Sequence, residues 1–217
     1  MISVLAPTRG RPHALQEMAD QAHATADGPV EILAYVDDDD PSDYQPDGVT
    51  VVRGPRTVLS ECWNVLAGHA HGDILQMGSD DIRHRTLGWD TQVAEVFGSC
   101  PDRLLFVYTR DGIHDDRLGT HGFVSTEWVA TVGYFTPDMF PADYADTWLN
   151  EVSARIGRRV FLPTVLIEHL HPIVGKAVVD RTHRERLERR EEADVDRLWL
   201  ETQLLRDVDV ARLEAAI

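Results

Sequence analysis

The chain has 217 residues, 43% hydrophobic and 27% charged, the composition of one folded domain with a sizeable core. Thirty-seven acidic side chains against 21 basic ones leave a net charge of −16, so the body repels phosphates at long range and a generic DNA-coating role is excluded. No uncharged stretch approaches the length needed to cross a bilayer. Cys62 and Cys100, without CxxC spacing, argue against a disulfide framework or a cysteine zinc site.

The opening residues, MISVLAPTRGRP, carry no basic region ahead of a short apolar run. Residues 2–6 therefore read as a buried strand rather than a signal peptide, and a cytoplasmic protein is expected. A Pro/Gly/Arg loop follows, then a helix over 13–27. Residues 30–36 form the next strand and run into Asp37-Asp38-Asp39-Asp40-Pro41; 49–53 is a third strand. A helix over 57–69 takes Thr57 as its N-cap, and a fourth strand at 73–77 ends at Gly78-Ser79-Asp80-Asp81. Beyond it, 104–108 reads as a strand and a Gly/His/Asp-rich loop runs to about residue 122. Helices are expected at 126–132 and 144–156, short strands at 160–162 and 165–171, and charged helix from residue 180. Strands separated by helices indicate a parallel, doubly wound α/β sheet. With no repeat and no linker, residues 1–183 read as one α/β domain and 184–217 as a helical extension.

In open α/β sheets ligands bind beyond the carboxyl ends of the strands, where loops and helix N-termini converge. Three polar clusters fall at such ends. Thr8, Arg9 and Arg11 follow the first strand, where guanidinium and backbone N–H donors suit phosphate oxygens or simply lie at the surface. Asp37–Asp40 follows the second, and most of that run reads as a solvated turn closed by Pro41. Asp80 and Asp81 follow the fourth; adjacent carboxylates suit a hard cation such as Mg²⁺ or Mn²⁺, or begin an Asx-turn. There is no GxGxxG and no GxxxxGK[ST], so dinucleotide and P-loop sites are not indicated.

Two further candidates lie downstream. On a strand, His169 and His171 share a face and can reach one ion. Asp146, at the start of a helix, is a general base or an acid favoured by the helix dipole. His69 and His71 have the same spacing but sit at a helix end, where imidazoles cap carbonyls. The segment from Arg181 to Arg190 carries arginines that could meet phosphates, but Glu185 and Glu188 interleave and it reads as a solvated helix.

Taken in order, the blocks SVLAPTRGRP, AYVDDDDP, MGSDDIRHRTLGWD, DYADTWLNE and IEHLHPIVGKAVVD resemble the GT-A type nucleotide-sugar glycosyltransferases, in particular short glycosyltransferase-like proteins of actinobacterial phages. The resemblance covers about residues 2–183. It implies a GT-A fold, Rossmann-like with a mainly parallel sheet flanked by helices, and transfer of a sugar from a nucleotide-sugar donor, UDP-linked by preference, with Mn²⁺ or Mg²⁺. Thr8, Arg9 and Arg11 then lie in the nucleotide-contacting loop, Asp37 where the pyrimidine base is held, and Arg56 where a basic residue approaches it. Ser79-Asp80-Asp81 looks like the acidic DxD motif with serine first, which leaves Asp80 to the ribose and Asp81 to the metal. His169 or His171 completes the metal site, and Asp146 matches the base of inverting members. The implied acceptor is a small molecule, a glycan, or a modified base such as a 5-hydroxymethylpyrimidine in phage DNA, the last placing the protein in a host cytoplasm. A nucleotidyltransferase stays open, although such enzymes usually place a lysine in the phosphate loop and Lys176 is the only lysine here. A non-catalytic sugar-nucleotide-binding protein also stays open.

Overall fold

Strand β1 (Ile2–Thr8) is buried along its length because it lies between two parallel neighbours, β2 (Val30–Asp37) and β4 (Ile74–Met77). Residues 1–141 and 143–217 are described by the computed structural model. Beyond β2 lies β3 (Thr50–Gly54), also parallel. The full sheet has eight strands in the order β3-β2-β1-β4-β7-β6-β8-β5. Here β5 is Ile82–His84, β6 Phe106–Arg110, β7 Phe123–Ser125 and β8 Arg159–His169.

The sheet is mainly parallel, as expected, with antiparallel pairing at two places. Strand β7 runs antiparallel to both β4 and β6, and β5 runs antiparallel to β8. Each is three residues long, too short to display a periodicity, and both are absent from the sequence reading. Residues 160–162 and 165–169 of the two expected strands belong to one strand, β8, whose register with β6 slips between Thr109 and Arg110. That strand ends at His169, so His171 lies beyond it and the shared-face argument for the two histidines does not hold.

Helices cover both faces of the sheet. Period-two alternation sends Val4 and Ala6 to one side and Leu5 to the other. On the first side α1 (Pro12–Thr25) packs through Leu15 and Met18, and α3 (Trp89–Gly98), which the sequence reading also missed, packs through Trp89, Val93 and Phe97. On the second side lie α2 (Leu59–His69), α4 (Thr126–Val132) and α5 (Ala145–Arg155), contributing Trp63, Trp128 and Trp148. Helix α2 begins two residues later than expected, and Thr57 does not cap it: its hydroxyl goes to the Glu61 carboxylate. Nor does His71 cap a carbonyl; its Nδ1 lies 2.7 Å from Glu31 Oε1. Cys62 and Cys100 are buried and free.

The charged tail forms α6 (Arg181–Glu192), α7 (Val195–Glu201) and α8 (Gln203–Ala216). Helix α8 joins the second core cluster through Val210 and Leu213. Its buried Asp209 accepts hydrogen bonds from Trp148 Nε1 at 2.9 Å and from the Tyr134 hydroxyl. Among the described residues no helix is long and apolar enough to cross a membrane.

One buried group sets a pH dependence of stability. His84, the last residue of β5, is fully buried, its ring 4.3 Å from that of Trp89 and its Nε2 3.0 Å from Gln76 Oε1. Burial pushes its pKa down to about 3. The unfolded chain takes up this proton near pH 6.5 and the folded chain does not. The contribution is therefore complete above about pH 6.5 and erodes as pH falls toward 3, by at most about 1.4 kcal/mol per pH unit. Urea unfolding of His84→Gln at pH 4, 5, 6 and 7 is expected to show a flatter profile than the parent; an identical slope would refute the assignment.

Candidate functional site

The carboxyl ends of β1, β2 and β4 open on one cleft of about 510 Å³. Gly78 makes this convergence possible. A Cβ there would lie 2.8 Å from Val4 Cγ1 and 2.9 Å from the Leu5 carbonyl oxygen, so only glycine lets the chain leave β4 this close to β1. Its N–H donates to that same carbonyl at 2.9 Å, and the turn delivers Ser79, Asp80 and Asp81 to the cleft floor.

All the candidate residues named from sequence line this cleft: Thr8, Arg9, Arg11, Asp37, Arg56, Asp80, Asp81, Asp146, His169 and His171. At one end Arg9 donates to Asp37 at 2.9 Å and to Asp39 at 2.5 Å. Burial raises the Asp37 carboxyl, against the pull of Arg9. Asp40 is buried rather than solvated, accepting from the Gly10 N–H at 2.7 Å and the Tyr44 hydroxyl at 3.0 Å, so it ties the β1 loop to the β2 loop.

In the middle of the cleft the two adjacent aspartates have opposite environments. Asp80 is almost closed off, with Thr8 Oγ1 donating to it at 2.7 Å and Arg11 Nη1 at 3.1 Å. Burial and the neighbouring Asp81 charge raise its pKa. Asp81 has its Oδ2 3.5 Å from His169 Nε2 and accepts from Ser79 Oγ at 2.5 Å. Burial works against its charge, but His169 and the Ser79 hydrogen bond more than offset this and hold it well below the usual carboxylate range.

The strand pairing explains this neighbourhood. Ile82 pairs with His169 across the β5–β8 ladder, and the Leu170 N–H donates to the Asp81 carbonyl at 2.8 Å. His121 arrives from the other side, just before β7, where the Gly122 carbonyl accepts from the Met77 N–H at 2.9 Å. Burial pushes its imidazole down to about 3, so it is a neutral donor. Among the described residues Asp81, His121 and His169 form the one group able to hold a metal ion, each offering a donor atom within 4.8 Å of the others.

One carboxylate oxygen and two imidazole nitrogens suit a divalent ion such as Mn²⁺. His169 Nδ1 is buried without a hydrogen-bond partner, so that ring is not fully used by protein contacts. His121 was missed because it has no companion at ligand spacing; only the antiparallel return of β7 places it. His171 stays outside the group. Its Nδ1 accepts from the Ile173 N–H at 3.2 Å at the start of the 3₁₀ turn Pro172–Val174, while its ring packs 5.0 Å from that of His169.

At the far end Asp146 sits in the first turn of α5, after Tyr144 in a left-handed conformation (φ 73°). Its Oδ1 accepts from the Thr147 N–H at 2.7 Å, and burial raises its pKa. Asp146 thus both lies at the start of α5 and lines the cleft. Asp143, just upstream, receives Arg186 at 2.5 Å and Arg190 at 3.3 Å, both from α6. That helix is not a free solvated element. Glu185, Arg186, Arg189 and Arg190 all line the cleft.

No family model matches the chain, and no curated protein does. Solved structures do, and three of them, at 12–14% identity, are representative. The mannosyltransferase PcManGT from Pyrobaculum calidifontis, in complex with GDP-Man and Mn²⁺, is 14% identical over 99% of this chain and 74% of its own, with a TM-score of 0.60. TarS of S. aureus is 12% identical over 77% of this chain, which spans only 36% of TarS, with a TM-score of 0.59. GalNAc-T7 with UDP, GalNAc and Mn²⁺ is 12% identical over 79% of this chain and 44% of its own, with a TM-score of 0.60. The fold is therefore the GT-A fold of nucleotide-sugar glycosyltransferases.

Proposed function

We propose that the protein is a divalent-metal-dependent glycosyltransferase that moves a sugar from a nucleoside diphosphate donor, UDP-linked by preference, to an acceptor hydroxyl with inversion. The observation that carries this reading is the Asp81–His121–His169 group lying in the same cleft as Arg9, Arg11 and Asp37 at the strand ends of a GT-A fold. Neighbours of that fold bind GDP-Man, UDP and Mn²⁺, which supports the donor class.

Roles follow from chemistry. Asp81, His121 and His169 would hold Mn²⁺ or Mg²⁺, which would supply positive charge opposite the departing diphosphate. Asp37 and Arg56 flank the base, and Arg9 lies between them and the phosphate end. Arg11 fixes Asp80 and, with it, the loop after β1. An acceptor hydroxyl is a poor nucleophile, and the Asp146 carboxylate takes its proton as the new glycosidic bond forms. The carbon–oxygen bond to the diphosphate breaks on the opposite face, so the configuration inverts.

The test is a panel of UDP- and GDP-sugars with Mn²⁺, scored for nucleoside diphosphate and followed by mass analysis of acceptors. Nucleoside diphosphate release supports the proposal. Pyrophosphate release would mean nucleotidyl transfer, and binding without release of either would mean a non-catalytic protein. The resemblance of the sequence blocks to phage glycosyltransferases supports a hydroxymethylated pyrimidine in DNA as acceptor, with Arg186 and Arg190 at the acceptor end, a small molecule or glycan being the alternative. Activity on such DNA is then expected to fall steeply with salt.

A further inference from the structure

Helix α6 crosses the cleft and is held almost wholly by charge. At its start Asp180 accepts from Arg11 Nε at 2.7 Å and Nη2 at 2.9 Å, and the Thr182 hydroxyl donates to the Arg9 carbonyl at 3.0 Å. One turn on, Glu185 accepts from Arg56 Nη2 at 2.6 Å and lies 3.7 Å from Arg9 Nε. Arg11 and Arg56 are thus paired with acids of this one segment, while Arg9, held by Asp37 and Asp39, has Glu185 as a more distant third acid. Glu185 thus places a negative charge beside both Arg56 and Arg9, which opposes the approach of an anionic nucleotide.

The helix is also cheap to release. It buries no residue of its own, and its Leu187 is half exposed. Ion pairs at a surface contribute little and weaken with salt, and elements without buried apolar contacts open at low free energy. The helix is flanked by two residues in left-handed conformation, Gly175 at φ 71° and Asp194 at φ 46°, and Val178 between Gly175 and the helix is 85% exposed.

We propose that α6 is a built-in competitor for the donor site, with Glu185 standing where it neutralises the cationic wall until a nucleotide displaces it. This rests on the donor-site reading above and adds its regulation. The helix then acts as a strap: it screens Arg9 and Arg56 in the free protein and lifts as the donor enters. Its charge alternation, which from sequence alone reads as solvation, serves to pair with both walls of the cleft.

Titration of UDP with Mn²⁺ into the full chain and into Glu185→Gln tests the proposal. The variant is expected to bind about three- to fivefold more tightly, as fits loss of one part-exposed ion-pair contact. In the parent, hydrogen exchange of residues 181–192 is expected to quicken when Mn²⁺ and UDP are added. Equal or weaker binding by Glu185→Gln, or protection of α6 by the nucleotide, would overturn the competitor role and leave the donor site standing. Failure of both proteins to bind either UDP or GDP would overturn the donor-site reading and this one with it.

Discussion

Asp81→Asn is expected to abolish Mn²⁺ binding detectable by calorimetry and to lower diphosphate release by a thousandfold or more. Asp81 is the only carboxylate in a group whose other donors are the imidazoles of His121 and His169. An amide oxygen is neutral and a poorer ligand for a hard cation. Loss of the ion removes several kcal/mol of charge stabilisation from the leaving diphosphate, and each 1.36 kcal/mol is a factor of ten. The fold is expected to survive, because the Asp81 backbone carbonyl, not its side chain, holds Leu170. A variant that turns over normally and still binds Mn²⁺ would remove the metal site from the proposal.

Asp146→Asn is expected to lower turnover by about 10²- to 10⁴-fold while leaving nucleotide affinity within about twofold, because only proton transfer is lost. Burial raises the Asp146 pKa, the neighbouring Asp143 charge adds to this, and the Thr147 N–H and His114 oppose it. The base works only when ionised. Activity of the parent should therefore fall with decreasing pH on a limb above the ordinary carboxylate range, and that limb should vanish in the variant. Full turnover of Asp146→Asn on a defined acceptor would leave Asp146 as a helix-dipole acid and nothing more.

How far the site could be read in advance depended on how local each signal was. Arg9, Arg11, Asp37, Asp80 and Asp81 stood out because each directly follows an apolar run, and the ends of parallel strands are where loops gather. The ladder from Ile2↔Val30 to Thr8↔Val36 places two of those ends side by side. Asp146 and His169 could be named as candidates but not joined, since nothing in their spacing says they share a cavity. His121 carried no signal at all. The histidine pair also misled: His171 shares its residue type and near position with His169, yet the strand stops between them.

The order of residues by itself determined the α/β alternation, the buried strands and the polar ends, because period, turn chemistry and strand-end position are written in neighbouring side chains. Tertiary structure alone decided the rest. Short strand β5 gains its pairing from β8, and β7 is fixed between β6 and the more distant β4, so their direction, and with it the meeting of His121, Asp81 and His169, exists only after folding. Likewise the charges of α6 could pair with water or with the cleft. Which of the two held depended on Arg9, Arg11 and Arg56 lying across from Asp180 and Glu185, more than a hundred residues away.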